Sequence, residues 1–252
     1  MKNIDREHFI KQKANLNIKQ KKERKGLILS PLNENLLVVK ESKTMVIKIG
    51  SNSIADDFRL NKKIISLIAK TVSNLMDLGK RVAIVTSGAV VVGMEKNNLK
   101  NRPEDTDELQ DLAAEGQHTL MTEYEKAFSR YNIGVWQILV THHNFSTREE
   151  RENITRRINR AFSKGKVPII NTNDPATKEE LIPVTQYSFS DNDPLSAIVA
   201  KNVKADLLMI FSDKGNLGKG GVESKMKAIN IATKGGAAVI ISKIEEIIAL
   251  IK

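Results

Sequence analysis

The sequence predicts an α/β fold in which an open, mainly parallel sheet is covered by helices on both faces. Short, almost wholly apolar runs alternate with amphipathic stretches of helical spacing, which is how strands buried on both sides read. Aromatic residues are only 4% of the 252-residue chain against 40% hydrophobic residues overall, so the core is aliphatic, which suits a parallel sheet better than a β-sandwich. The polar turns fall at the C-terminal ends of the apolar runs, the edge where open α/β sheets bind ligands.

From Thr44 the elements follow in order. Met45 to Ile49 reads as a strand closed by the turn Gly50-Ser51-Asn52-Ser53. Between Leu60 and Leu78, residues Ile64, Ile65, Leu67, Ile68, Val72, Leu75 and Met76 recur at helical spacing, and Gly79 stops the helix. Arg81 to Val85 is a second strand, ended by Thr86-Ser87-Gly88-Ala89. Residues 96–108 are loop-like, Leu109 to Phe128 is a helix, and Gly134 to Val140 is a third strand. Arg148 to Phe162 is a charged amphipathic helix, and Val167 to Ile170 is a fourth strand leading into Asn171-Thr172-Asn173-Asp174. A second Asn/Asp cluster, Ser190-Asp191-Asn192-Asp193, opens a helical stretch from Pro194 to Lys201. Ala205 to Phe211 is a fifth strand before Ser212-Asp213-Lys214-Gly215, Ser224 to Ala232 is a helix, and Ala237 to Ile241 is a sixth strand.

Residues 1–43 read as a basic N-terminal extension and 44–252 as a single domain. The net charge is +10, and the first 44 residues hold eleven Lys/Arg against five Asp/Glu, so +6 of it sits in that leading segment. Leu27 to Leu29 and Leu36 to Val39 are expected there as short strands or a packed arm. The leading segment has no apolar h-region and carries Asp5, Glu7 and Glu23, a poor match to secretory or organelle targeting peptides. No aromatic residues interleave with its lysines, so base stacking has no platform and a solvated tail is favoured over nucleic-acid binding. The absence of cysteine excludes disulfides and thiolate metal sites, and no apolar run approaches the roughly 20 residues that span a bilayer.

Several residues could carry chemistry. Lys48 sits inside an apolar strand, either as a snorkelling edge residue or as a cation at the cleft floor. Gly50-Ser51 after it permits close backbone approach to an anion. Thr86-Ser87-Gly88-Ala89 offers backbone N–H groups at a helix start, although Ser and Thr also serve there as ordinary caps. Gly220-Gly221 feeds a helix whose first turn carries Lys225, a placement that opposes the helix dipole and hints at function. It is not a Walker A loop. The side chains of 171–174 and 190–193 supply short acceptors and amide donors suited to a small polar ligand. His142 and His143 are expected to point apart in a strand, with no carboxylate spacing to complete a metal site. Two lysines, glycine turns and two Asn/Asp clusters on one sheet edge suggest phosphoryl transfer, in which the protein mainly positions groups and neutralises charge.

The ordered segments Val46-Ile47-Lys48-Ile49-Gly50-Ser51, Val85-Thr86-Ser87-Gly88-Ala89-Val90, Ala113-Ala114-Glu115-Gly116-Gln117, Gln137-Ile138-Leu139-Val140-Thr141, Asn171-Thr172-Asn173-Asp174 and Asp191-Asn192-Asp193 resemble the glutamate 5-kinases of the amino-acid kinase family. Val167 to Asp174 and Gly220 to Lys227 are most similar to the kinase domain of bifunctional pyrroline-5-carboxylate synthases. The resemblance runs from about Met45 to Ser242. It implies a three-layer α/β/α sandwich that moves the ATP γ-phosphoryl group to the side-chain carboxylate of L-glutamate. The product, glutamyl 5-phosphate, is the first intermediate towards proline.

Carried over by position, Ser87, Asn171, Asp174 and Asn192 would bind or support glutamate. Lys48 and Lys225 would neutralise the transferring group, with Asp193 orienting them. Gly50, Ser51, Ser212, Asp213, Gly220 and Gly221 would lie at the nucleotide. Mg²⁺ would be held through the ATP phosphates rather than by protein ligands. Thr172 stands where bacterial members usually carry Glu, and Ser190 replaces a usual Gly. Asn216 and Lys219 alter the nucleotide-side motifs. Only a few residues separate Ser212-Asp213 from Gly220-Gly221 where relatives place a few tens, so domain 44–252 is expected to be shortened on the nucleotide side. A homo-oligomer in the cytoplasm is expected, with the mitochondrion as the alternative location. The alternative activity is a catalytically impaired relative that binds glutamate or a protein partner.

Overall fold

The apolar runs are strands of one parallel sheet, and the helical stretches cover its two faces, in a computed structural model that describes residues 32–177, 192–211 and 222–251. The strands are β1 (Thr44–Ile49), β4 (Arg81–Thr86), β5 (Val135–Val140), β6 (Val167–Thr172), β7 (Leu207–Phe211) and β8 (Ala238–Ser242), with a small antiparallel hairpin of β2 (Ala55–Asp56) and β3 (Arg59–Leu60). The helices are α1 (Leu32–Glu41), α2 (Ser51–Ile54), α3 (Lys62–Asp77), α4 (Ala89–Lys96), α5 (Thr106–Ser129), α6 (Arg148–Ser163), α7 (Asn192–Asn202), α8 (Val222–Lys234) and α9 (Ile244–Ile251). The sheet order is β5-β6-β4-β1-β7-β8, so β1 is central, flanked in parallel register by β4 and β7.

Alternation along β1 divides the interior. Met45, Ile47 and Ile49 face a layer with Ile65, Ile68 and Leu75 of α3 and Leu120, Tyr124 and Phe128 of α5. Val46 faces the opposite layer, with Ile158 of α6, Leu195 and Val199 of α7, and Ala228 and Ala232 of α8. Lys48, two residues after Val46, points to that second layer. The result is three layers, α/β/α. Local chemistry sets the helix starts: the side chains of Asn61, Asp105 and Thr147 accept from backbone N–H groups in the first turns of α3, α5 and α6.

Four stretches differ from the sequence reading, one of them α9 (Ile244–Ile251), which it did not include. Leu36 to Val39, expected as a short strand or a packed arm, does pack onto the domain, but as part of the helix α1 and not as a strand. Lys80 Nζ donates to the carbonyls of Lys40 (2.8 Å) and Ser42 (2.7 Å), satisfying the C-terminal end of that helix. Val39 is buried in the same cluster as Ile244 and Ile248 of α9, and Lys43 N and Thr44 N both donate to Asp206 Oδ2, so residues 32–43 pack onto the body of the domain. Leu27 to Leu29 lies outside the described residues. His142 and His143 belong to a 3₁₀ turn, His142–Phe145, and not to a strand. Thr141 N donates to Asn144 Oδ1 at 2.8 Å, and this box closes the turn directly after β5. Between β1 and α3 the chain forms α2 and the β2–β3 hairpin, whose tip residues Asp57 (φ 46°) and Phe58 (φ 58°) are both left-handed, as a tight two-residue turn demands.

Candidate active site

Lys48 does not snorkel to an exposed edge. It is 5% exposed on the central strand, and its Nζ lies 2.6 Å from Asp193 Oδ1 in the first turn of α7. Lys225, in the first turn of α8, reaches the other oxygen, Oδ2, at 3.4 Å. One carboxylate is thus shared by two ammonium groups, leaving a formal +1 on the trio at the sheet's C-terminal edge. A buried cluster with excess positive charge attracts an anion more strongly than the same charges would in water. Gly50 keeps the space beside it open: a Cβ there would stand 3.2 Å from Lys48 Nζ. Ser51 follows, half-buried, as the first residue of α2.

A second network begins one residue away from Asp193. The β4–β6 ladder runs through Ile84–Ile169 and Val85–Ile170. Beyond it, Asn192 Nδ2 donates to the Thr86 carbonyl (2.8 Å), to Ser87 Oγ (2.9 Å) and to Asn171 Oδ1 (3.1 Å), tying β4 to β6 through a side chain. Asn171 is 1% exposed; its Oδ1 also accepts from Thr172 N at 2.9 Å, and its Nδ2 donates to Gln117 Oε1 at 2.8 Å. This bonding explains why β6 continues through two polar residues after Ile170. Asp174, buried at the head of the 3₁₀ turn Asp174–Ala176, is fixed through its backbone: Gln110 Nε2 of α5 donates to its carbonyl at 2.8 Å.

Two more groups brace the turn after β4. Thr86 Oγ1 donates to the Ser87 carbonyl at 3.0 Å and therefore accepts from Tyr124 OH at 2.9 Å. Burial pushes the Tyr124 phenol well above its ordinary range, and the Thr86 contact opposes this only weakly. Gly88 (φ 110°) turns the chain there, in a conformation unfavourable to L residues and with Ile54 Cδ1 only 2.7 Å from where a Cβ would sit.

The predicted residues therefore fall into two adjoining groups. Lys48, Asp193 and Lys225 come together, as do Ser87, Asn171 and Asn192, and the peptide bond between Asn192 and Asp193 joins the groups. Gly50 borders the first, and Asp174 ends the β6 segment that builds the second. Ser212, Asp213, Gly220 and Gly221 lie outside the described residues, as do Ser190, Asn216 and Lys219. Gln110 and Tyr124 were not anticipated, and Thr86 and Gln117 were named only within a turn and a resembling segment, with no role of their own. Gln117 had a legible signal: it is a polar residue on a helical stripe otherwise made of Leu109, Leu112, Ala113, Gly116 and Leu120.

Among the described residues no group of three or more His, Asp or Glu is placed to hold a metal ion, and no helix is long and apolar enough to cross a membrane. An open hollow of about 690 Å³ over α6, lined by Arg148, Arg151, Glu152, Arg156 and Arg160 among others, shares no residue with the site. Its four arginines and one glutamate belong to the charged, solvated face of α6.

The profile of the amino acid kinase family matches residues 43–230. The glutamate 5-kinase of Listeria welshimeri is 42% identical over 176 residues, 69% of this chain and 63% of its own length. That of Methanococcoides burtonii is 38% identical over 177 residues, covering 70% of this chain and 46% of its own. The chain thus spans between about half and two-thirds of the length of these relatives. Carbamate kinase from Giardia superposes with a TM-score of 0.55 at 15% identity, covering 81% of this chain and 94% of the other. The isopentenyl phosphate kinase of T. acidophilum gives 0.53 at 14% identity, covering 79% and 91%. The two structures share the fold, and the matched profile extends over three-quarters of the sequence: the chain belongs to the amino acid kinase family.

Proposed function

We propose that this chain transfers the γ-phosphoryl group of ATP to the side-chain carboxylate of L-glutamate, giving glutamyl 5-phosphate and ADP. The observation that carries this reading is the single carboxylate of Asp193 held between Lys48 and Lys225, next in sequence to the Asn192 amide network. The relatives named glutamate 5-kinase support the choice of acceptor.

In this reading a glutamate carboxylate oxygen forms a bond to the γ-phosphorus as the bond from phosphorus to the β–γ bridging oxygen breaks, and ADP takes the electron pair. The carboxylate is already ionised at neutral pH, so no proton has to be removed and no general base is required. The barrier is repulsion between two anions. Lys48 and Lys225 lower it by meeting the charge on the transferring group and the leaving oxygen, and Asp193 keeps both ammonium groups from drifting apart. Asn192, Ser87, Asn171 and Asp174 hold the acceptor. Gly50 and Ser51, with Ser212, Asp213, Gly220 and Gly221, are assigned to the nucleotide side. A magnesium ion carried on the nucleotide would suit this site: Lys48 and Lys225 would meet phosphate oxygens, and Asp193 is already engaged by both lysines. Such an ion supplies further charge neutralisation along the phosphates.

The test is ADP release from ATP and Mg²⁺ with and without glutamate, run on the full chain beside Lys225→Ala. Glutamate-dependent turnover abolished by the substitution is the expected result. Absence of turnover while calorimetry still detects glutamate binding would overturn the kinase reading.

A further inference from the structure

Gln117 is 7% exposed, lies on α5 outside every element that carries the predicted site, and bonds only through its oxygen among the described residues. Its position is made by Gly116. A Cβ on Gly116 would stand 1.9 Å from the Ala89 carbonyl oxygen, so only glycine lets α5 approach α4 closely enough to bring the next side chain under the cleft.

The amide ends in this chain of side chains are not interchangeable. Two backbone groups that cannot rotate fix them. Thr172 N–H must meet an oxygen, which orients Asn171 with Oδ1 towards it. The Thr86 carbonyl must meet a donor, which orients Asn192 with Nδ2 towards it. The Asn171 Nδ2 group then faces α5 and requires an acceptor, which Gln117 Oε1 provides at 2.8 Å. As a consequence Asn192, fully buried, turns its Oδ1 away from all three of its partners, and that oxygen has no hydrogen-bond partner among the described residues. A buried acceptor with a fixed direction favours a ligand that brings a donor and penalises one that does not.

We infer that Gln117 is a positioning residue that, by accepting from Asn171 Nδ2, holds the Asn171–Asn192 amide pair in place, so that the acceptor pocket selects a dicarboxylic acid bearing an ammonium group over its des-amino analogue. The inference rests on the glutamate reading above. Without the Gln117 oxygen, Asn171 Nδ2 is left buried without its acceptor; because Thr172 N–H and Asn192 Nδ2 oppose its rotation, the pair can relieve this only by shifting, which displaces the Asn192 oxygen. Gln117 acts through Asn171 and Asn192 and takes no part in the transfer itself.

The experiment compares wild type, Gln117→Met and Gln117→Glu, with glutamate and glutarate as alternative acceptors. Methionine keeps the volume and removes the acceptor; glutamate keeps an oxygen for Asn171 Nδ2. Gln117→Met is expected to raise KM for glutamate about tenfold with kcat within about threefold, and to shrink the glutamate-to-glutarate ratio of kcat/KM about tenfold. KM for ATP stays as in wild type. Gln117→Glu retains most of that ratio. An unchanged ratio in a Gln117→Met protein that melts like wild type overturns the inference, as does a Gln117→Glu protein that loses the ratio to the same extent. If Gln117→Met does not fold, the ratio in Gln117→Glu decides alone: preserved supports the inference, lost overturns it. Failure of wild type to bind glutamate by calorimetry removes the glutamate reading and this inference together, whereas intact wild-type selectivity with unchanged variants removes only the role of Gln117.

Discussion

Lys48 and Asp193 form a buried ion pair, 2.6 Å between Nζ and Oδ1, with side-chain exposures of 7% and 0%. Removing one partner of such a pair leaves an uncompensated charge in a low-dielectric setting, a far larger penalty than the pair's own net worth. Asp193→Asn leaves two ammonium groups facing a neutral amide. It is expected to destabilise the protein by about 3–5 kcal/mol, read as a lower midpoint in urea unfolding, and to reduce kcat as well.

Lys225 is held less tightly, at 3.4 Å from Asp193 Oδ2 with 12% of its side chain exposed. Its removal leaves Asp193 still paired with Lys48. Lys225→Ala is therefore expected to cost about 1 kcal/mol or less in stability and about a hundredfold or more in kcat, with KM for glutamate nearly unchanged. Equal losses of stability in Lys225→Ala and Asp193→Asn would instead make Lys225 a structural partner of the carboxylate.

Gly50 separates space from backbone strain as the reason for a glycine. Its φ of −78° is open to any residue, yet an added Cβ would lie 3.2 Å from Lys48 Nζ, on the side assigned above to the nucleotide. Gly50→Ala is expected to leave the melting temperature within a few degrees of wild type and to raise KM for ATP several-fold. Steady-state kinetics at varied ATP and fixed glutamate decides it.

The six strands of the parallel sheet were legible because each is a short, mostly aliphatic run between polar turns, and burial on both faces requires such runs. Lys48 stood out for the same reason, as a charge inside one. What stayed hidden depended on partners distant in sequence. Leu36 to Val39 has the apolar character of a strand, but α9 and the Lys80 ammonium, each far along the chain, make it a helix. Polar Asn171 and Thr172 extend β6 because Gln117 and Asn192 bond to Asn171, which no local pattern encodes. Gln117 could have been found as the odd polar residue on an apolar helical stripe. Its hydrogen-bond partner could not.

The crossing of α4 and α5 provides a packing test. An added Cβ at Gly116 would meet the Ala89 carbonyl oxygen at 1.9 Å, and one at Gly93 would meet the Leu112 carbonyl oxygen at 2.0 Å. Both obstacles are backbone, which cannot rotate aside. Gly116→Ala is expected to destabilise by about 2–4 kcal/mol despite alanine's better helix propensity. Part of the relief would come from α5 moving away, which carries Gln117 from Asn171. Glutamate binding measured by calorimetry should weaken in whatever fraction remains folded.

Tyr124 gives a pH dependence with a definite sign. Its buried phenol is held neutral in the folded protein, well above the ordinary tyrosine range, with desolvation as the main cause. An unfolded chain ionises the same group near pH 10. The folded state therefore keeps a proton that the unfolded state gives up, so this group's contribution is constant below about pH 10 and falls as pH rises further. In a 295 nm titration, one of the chain's three tyrosines should yield phenolate only as the protein unfolds in alkali. Tyr124→Phe should remove that late amplitude and weaken the pH dependence of stability above pH 10. At neutral pH the loss of the bond to Thr86 Oγ1 costs about 1 kcal/mol, since Thr86 keeps its bond to the Ser87 carbonyl. A Tyr124 phenolate that forms reversibly in the folded protein near pH 10 would show that the phenol is not sealed from solvent as its position requires.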